Sequence, residues 1–151
     1  MLVITGQSGC GKTRVAGAIY EFCNAVAFDA YCQNKGWGKA DHTPYVHFDS
    51  WSRINAAISN RNEEPLKDLF DADCLVIDDI GAETDSFKVG ADRLCQVLSK
   101  REREFTVITT NIPSDQWAER MDSRISDRLL RNSVVVEMGE CPSYSIWKLC
   151  Q

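Results

Sequence analysis

The chain has 151 residues, with 17 Lys and Arg against 22 Asp and Glu, a formal net charge of −5. That length suits one domain with a single core, and 44% hydrophobic with 26% charged residues excludes disorder and fibrous repeats. No apolar run reaches the ~18 residues a membrane-spanning helix needs, and the acidic balance argues against general nucleic-acid adhesion while leaving room for a local basic patch.

Short apolar segments alternate with helical stretches, the rhythm of a parallel sheet covered on both faces. Leu2 to Thr5 reads as the first strand. It carries neither a basic leader nor a signal-peptide core, so a cytoplasmic location is expected. Val15, Ala16, Ile19, Phe22 and Cys23 follow at helical spacing, and residues from about Asn24 to Thr43 read as irregular. Tyr45 to Asp49 is the next strand, then a helix from Ser50 to Ser59 with Ser50 as its N-cap. Cys74 to Ile77 is a continuous apolar run, as a buried central strand should be. A helix from Ser86 to Arg103 turns Phe87, Leu94, Val97 and Leu98 inward. Phe105 to Thr109 and Val134 to Val136 complete five strands, mostly parallel, with a helical stretch from Ser114 to Arg131, broken near Met121, between them. The seven cysteines are scattered, with no C-x-x-C pair. They suit idle thiols in a reducing compartment better than disulfides, and Cys23, Cys32, His42 and His47 match no standard zinc spacing.

Three segments carry chemistry. Gly6-Gln7-Ser8-Gly9-Cys10-Gly11-Lys12-Thr13 satisfies G-x-x-x-x-G-K-[ST] between a predicted strand and a predicted helix. Glycines let successive N–H groups wrap a phosphate chain, and the helix N-terminus adds partial positive charge. Lys12 would reach the β- and γ-phosphates of ATP, and the Thr13 hydroxyl would ligate Mg²⁺. Cys74-Leu75-Val76-Ile77-Asp78-Asp79 ends a buried strand in two acids at the edge where open α/β sheets bind ligands. Asp78 would hold Mg²⁺ through a water, and Asp79 would polarise the attacking water. Thr109-Thr110-Asn111 ends the next strand, where Asn111 would touch the γ-phosphate or orient the water. Arg120, Arg124, Arg128 and Arg131 would share ~80° of arc on one continuous helix, either as a solvated face or as a source of arginine for a neighbouring subunit's nucleotide.

These segments, with Ile80-Gly81-Ala82-Glu83 and Arg124-Ile125-Ser126-Asp127-Arg128-Leu129-Leu130, resemble successive motifs of AAA+ ATPases. The chain is most similar to the DnaC-type helicase loaders and the IstB transposition ATPases. That resemblance implies one α/β domain over residues 1–151, a P-loop AAA+ core with a mostly parallel five-stranded sheet and no separate lid domain. It makes Lys12 and Thr13 Walker A, Asp78 and Asp79 Walker B, Asn111 sensor 1, and Arg128 the arginine finger, with Arg124 as the alternative. It also implies ATP and Mg²⁺ as cofactors, a head-to-tail ring or filament, single-stranded DNA, and a replicative helicase or transposase as partner. Pro142-Ser143-Tyr144-Ser145 departs from the family's closing Ser-Tyr-Arg by having Ser145, with Lys148 a poor stand-in for a sensor 2 arginine.

The expected activity is therefore Mg²⁺-dependent ATP hydrolysis in DNA replication or transposition. Two alternatives stay open: a weakly hydrolysing ATP-dependent adaptor, and a small P-loop phosphotransferase. Lys35-Gly36-Trp37-Gly38-Lys39 offers an aromatic between two lysines. Trp37 there either stacks a base of single-stranded DNA or folds onto the surface.

Overall fold

A computed structural model describes residues 1–33, 44–62, 64–81 and 87–139. In chain order the elements are β1 (Leu2–Thr5), α1 (Lys12–Cys32), β2 (Val46–Ser50), α2 (Trp51–Ser59), α3 (Glu64–Asp71), β3 (Cys74–Ile80), α4 (Phe87–Lys100), β4 (Phe105–Thr110), a 3₁₀ turn (Ser114–Gln116), α5 (Trp117–Arg120), α6 (Ser123–Arg131) and β5 (Val134–Glu137). The five strands pair in the order β2-β3-β4-β1-β5, and every pair is parallel. Parallel neighbours need crossovers, and right-handed crossovers place leftward and rightward steps on opposite faces. Only β1 to β2 steps leftward, so α1 packs on one face and the later helices on the other.

Alternation along the strands sorts the core accordingly. Ile4, Val76 and Val107 meet Ala16 under α1, with Cys23, Ala27, Val46 and Cys74 further along the helix. Val3, Leu75, Ile77 and Ile108 face the larger cluster, with Trp51, Ile54, Leu69, Leu94, Trp117, Ile125 and Leu129. Among the described residues no helix is long and apolar enough to cross a membrane.

Several sequence expectations are corrected. Helix α1 continues to Cys32, through part of the stretch read as irregular. Its inner face is Ala16, Cys23 and Ala27, small enough for close approach to the sheet, whereas Val15 and Phe22 are exposed. Helix α3 was not anticipated: its eight residues bury only Leu66 and Leu69, too short a pattern to register as a period. The stretch from Ser114 to Arg131 is three pieces. Met121 adopts an extended conformation and Asp122 restarts the chain as N-cap of α6, accepting from Arg124 N at 2.9 Å. Arg120 therefore does not share one helix with Arg124, Arg128 and Arg131. Ser50 caps α2 as expected, accepting from Arg53 N at 3.4 Å. Cys23 and Cys74 are free thiols packed in one cluster, burial pushes the Cys74 thiol up to about 12, and the His47 ring meets the Tyr45 hydroxyl at 2.9 Å. Phe87's side chain, His42, the Lys35–Lys39 segment, Glu83, and residues 140–151 lie outside the described residues.

One buried cation ties the lower sheet to its helices. Arg101 is 3% exposed and donates to Leu69 O (3.1 Å), Ala72 O (2.5 Å), Phe105 O (3.1 Å) and Thr106 Oγ1 (3.1 Å). It satisfies carbonyls at the end of α3 that have no helical partner. Replacing it leaves buried acceptors unpaired at ~1–3 kcal/mol each, partly offset by relief of the desolvated charge. Arg101→Met should lower unfolding free energy by ~2–3 kcal/mol in urea denaturation; a loss under ~0.5 kcal/mol would contradict this role.

Candidate functional site

Strands β1, β3 and β4 end side by side at the carboxyl edge of the sheet, and each delivers one part of the site. After β1 the chain turns through Gly6–Gly11 into α1. Gly11 is the N-cap, with φ +101°, a left-handed conformation that a side chain would strain. It brings no side-chain cap, and the first turn holds no acid, so the leading N–H groups of α1 remain donors for an anion. Lys12 is 6% exposed, and its Nζ donates to Gly6 O and Gln7 O, both at 2.8 Å. The ammonium is thereby drawn back over the loop.

Strand β3 supplies the acids, and it does so by breaking its own alternation. On a regular strand Asp78 and Asp79 would point to opposite faces. Ile77 pairs with Ile108, yet Ile80 pairs with Thr110, so β3 spends three residues where β4 spends two. Asp79 is the extra residue, with φ +61°, and the bulge returns Ile80 to the large core cluster. Gly81 follows at φ +85°, and a Cβ there would lie 2.6 Å from Ile112 Cδ1. The glycine lets the strand leave the sheet under β4.

Hydrogen bonds then join α1, β3 and β4. Thr13 Oγ1 lies 3.1 and 3.0 Å from the two carboxylate oxygens of Asp78. Thr109 Oγ1 donates to Asp78 Oδ1 at 2.6 Å and accepts from Asp79 N at 2.8 Å. Asn111 Nδ2 donates to Asp79 Oδ1 at 2.5 Å. Burial raises the Asp79 carboxyl above its ordinary range, Asp78 raises it further, and Lys12 opposes both. A cleft of about 510 Å³ is lined by Ser8 to Arg14 together with Asp79, Thr109 and Asn111.

Of the expected site residues, Ser8 to Thr13, Asp79 and Asn111 line the cleft, while Gly6 and Gln7 hold Lys12 through their carbonyls and Asp78 is held by Thr13 and Thr109. Arg124 and Arg128 do not line this cleft. Arg124 Nη2 reaches Asp92 at 2.7 Å and Asp122 at 2.9 Å, while Arg128 Nη1 reaches Glu102 at 3.1 Å. Sequence reasoning gave Thr109 no role of its own and missed the bulge. The signal was there: two threonines closing the strand just before Asn111.

A Mg²⁺ ion fits this donor set. Thr13 and Asp78 offer hard oxygen ligands already within hydrogen-bond distance, and Mg²⁺ beside phosphates takes few protein ligands and several waters. Among the described residues no cluster of three or more acids, histidines or cysteines forms an all-protein cage.

A five-stranded parallel sheet with a glycine loop and a terminal acid pair at its carboxyl edge defines the P-loop nucleotide-binding fold. The solved structures that it is similar to have the same fold. They include AMPPCP-bound DnaA from Aquifex aeolicus (14% identity over 90% of this chain and 39% of that chain, TM-score 0.64) and DnaI (21%, 94% and 71%, TM-score 0.64). DnaA bound to AMPPCP and single-stranded DNA is another (13%, 90% and 39%, TM-score 0.61). This chain therefore spans about two fifths of the DnaA chains. No curated protein matches it. The model of the IstB-like ATP-binding proteins matches residues 48–146, and the chain belongs to that family.

Burial of the Asp79 carboxyl beside Asp78 carries a cost that depends on pH. Because the folded-state value of Asp79 is raised, this group favours folding at acid pH, and that contribution is lost as pH rises through the folded value. Asp79→Asn keeps an acceptor for Asn111 and removes the charge. With a chelator present, it should melt a few degrees above wild type at pH 7, the gap closing toward pH 4. A variant that melts lower at pH 7 would contradict the repulsion.

Proposed function

We propose that this chain binds ATP with Mg²⁺ in the cleft and hydrolyses it, as an AAA+ module of DNA replication or transposition. The observation that supports this most is the single hydrogen-bonded chain Thr13–Asp78–Thr109–Asp79–Asn111, which gathers a metal ligand pair, a second acid and a polar strand tip beside a phosphate loop. Loop N–H groups and the α1 N-terminus would hold the phosphates. Lys12 would exchange its two loop carbonyls for phosphate oxygens. Thr13 and Asp78 would hold Mg²⁺, which supplies charge neutralisation between the phosphates. Asp79, with its raised affinity for a proton, is suited to draw one from the attacking water while Asn111 orients the acid. A reducing, cytoplasmic setting suits the free cysteines, Cys10 in the phosphate loop among them.

The arginines bear on assembly. Arg128 is our first choice for a finger acting on a neighbouring subunit's nucleotide, and Arg124 the second. Among the described residues Arg128 pairs with Glu102 alone, whereas Arg124 pairs with both Asp92 and Asp122, so Arg128 is the easier to release. A finger in trans demands heterologous, head-to-tail contacts, which build rings or open filaments. The same ion pairs favour a second reading, a nucleotide-dependent adaptor with little turnover, since both cations are satisfied within their own subunit. Single-stranded DNA remains the nucleic-acid partner of choice: the similar DnaA structure holds it, and base stacking is one of the two readings of Trp37 between its lysines. A replicative helicase or a transposase is the protein partner that the family suggests.

Lys12→Ala should abolish ATP binding in a titration with Mg²⁺; unchanged affinity would overturn the site. Turnover in wild type should rise steeply with protein concentration, and mixing Lys12→Ala with Arg128→Ala, each inactive alone, should restore part of it. Fingers in trans contribute ~10³–10⁵ in rate in GTPases. A dead mixture beside an active wild type, or a fully active Arg128→Ala, would refute the shared site, whereas binding without turnover would favour the adaptor.

A further inference from the structure

Strand β4 carries three threonine hydroxyls, and they have different occupations. Thr106 Oγ1 accepts from the buried Arg101. Thr110 Oγ1 donates to Ile80 O at 2.8 Å and accepts from Ile112 N at 3.1 Å, fastening the strand's exit. Thr109 alone of the three meets carboxylates: it is 1% exposed, donates to Asp78 Oδ1 and accepts from the Asp79 backbone.

The location matters because Asp79 is under strain. A residue other than glycine in the left-handed region is strained and persists only where its surroundings over-determine it. In the bulge the Asp79 N–H loses its place in the ladder between Ile77 and Ile80. The Thr109 hydroxyl takes that N–H, and with the same oxygen's proton it holds the neighbouring acid. Oδ1 of Asp78 thus carries Thr109 and Thr13, while among the described hydrogen bonds Oδ2 carries Thr13 alone. One hydroxyl therefore sets both the backbone turn that aims Asp79 and the rotation of the Asp78 carboxylate.

We infer that Thr109 is a positioning residue of the nucleotide site, fixing the Asp78 and Asp79 carboxylates and so setting the Mg²⁺ requirement and the rate of hydrolysis. This rests on the proposed ATPase reading. A residue that orients a metal ligand from behind typically changes metal affinity or activity ~10–100-fold when lost.

Thr109→Val keeps the volume and removes the hydroxyl, and Thr109→Ser restores the hydroxyl without the methyl. Two measurements separate the inference from the reading it rests on. The first is amide hydrogen exchange at Asp79 without nucleotide: Thr109→Val should accelerate it at least ~10-fold relative to Ile77, and Thr109→Ser should leave it near wild type. The second is Mg²⁺ titration of ATP-analogue binding and of turnover. In Thr109→Val the half-saturating Mg²⁺ should rise and kcat fall by ~10-fold or more, with KM for ATP changed little, and Thr109→Ser should recover both. Wild-type Mg²⁺ dependence and turnover in Thr109→Val, or a Thr109→Ser as impaired as Thr109→Val, would overturn the role. If wild type binds no nucleotide, the ATPase reading falls, and Asp79 exchange alone then decides whether the brace exists: unchanged protection in Thr109→Val refutes it.

Discussion

Asp78 joins the elements of this site. Its carboxylate accepts from Thr13 on α1 and from Thr109 on β4, while its backbone belongs to β3. Three strands that share nothing in sequence are brought into one register by a parallel sheet whose central members end together. A carboxylate 8% exposed would be expensive without donors, and here two hydroxyls supply them. The arrangement makes the geometry of the proposed Mg²⁺ ligands depend on the packing of β3 against β4, and through α1 on the phosphate loop as well.

The bulge follows from the same constraint. Two successive residues of a strand cannot face one cleft unless the strand is broken between them. The chain breaks it at Asp79, with a left-handed residue braced by Thr109 and Asn111 and followed by a glycine that passes under Ile112. Two acids side by side and a strained backbone both oppose stability. Such costs concentrate where chemistry is done, and the large apolar cluster below the sheet, anchored by Trp51, Trp117 and the Arg101 bonds, offsets them.

Much of this was legible in the amino-acid sequence because it rests on local rules. The phosphate loop announces itself by glycine spacing, β3 by an apolar run ending in acids, and α2 by Ser50. What escaped was cooperative. Helix α1 extends to Cys32 because Cys23 and Ala27 dock on β2 and β3, a tertiary contact that periodicity near Asn24 does not announce. Helix α3 is held by two leucines and the Arg101 bonds to its last carbonyls. The arginine face read over a single helix dissolves at Met121, where Trp117 turns inward to donate to Ile112 O at 2.8 Å and the chain restarts at Asp122. The Asp-Asp pair was visible as a motif, but its requirement for a bulge, and hence for Thr109, appears only when the register against β4 is known.

In the proposed function one cleft, bounded by the loop after β1 and the ends of β3 and β4, receives the phosphates and metal of ATP. The most direct measurement is a titration of the isotope-labelled protein with ATP, followed with and without Mg²⁺ through its assigned backbone amides. ATP should shift Gly9, Gly11, Lys12 and Thr13 most, and Mg²⁺ should add shifts at Asp78, Asp79 and Thr109, with Arg101 and the core of α4 unmoved. Saturating nucleotide that leaves the loop amides in place, or Mg²⁺ effects that fall away from Asp78, would contradict the account.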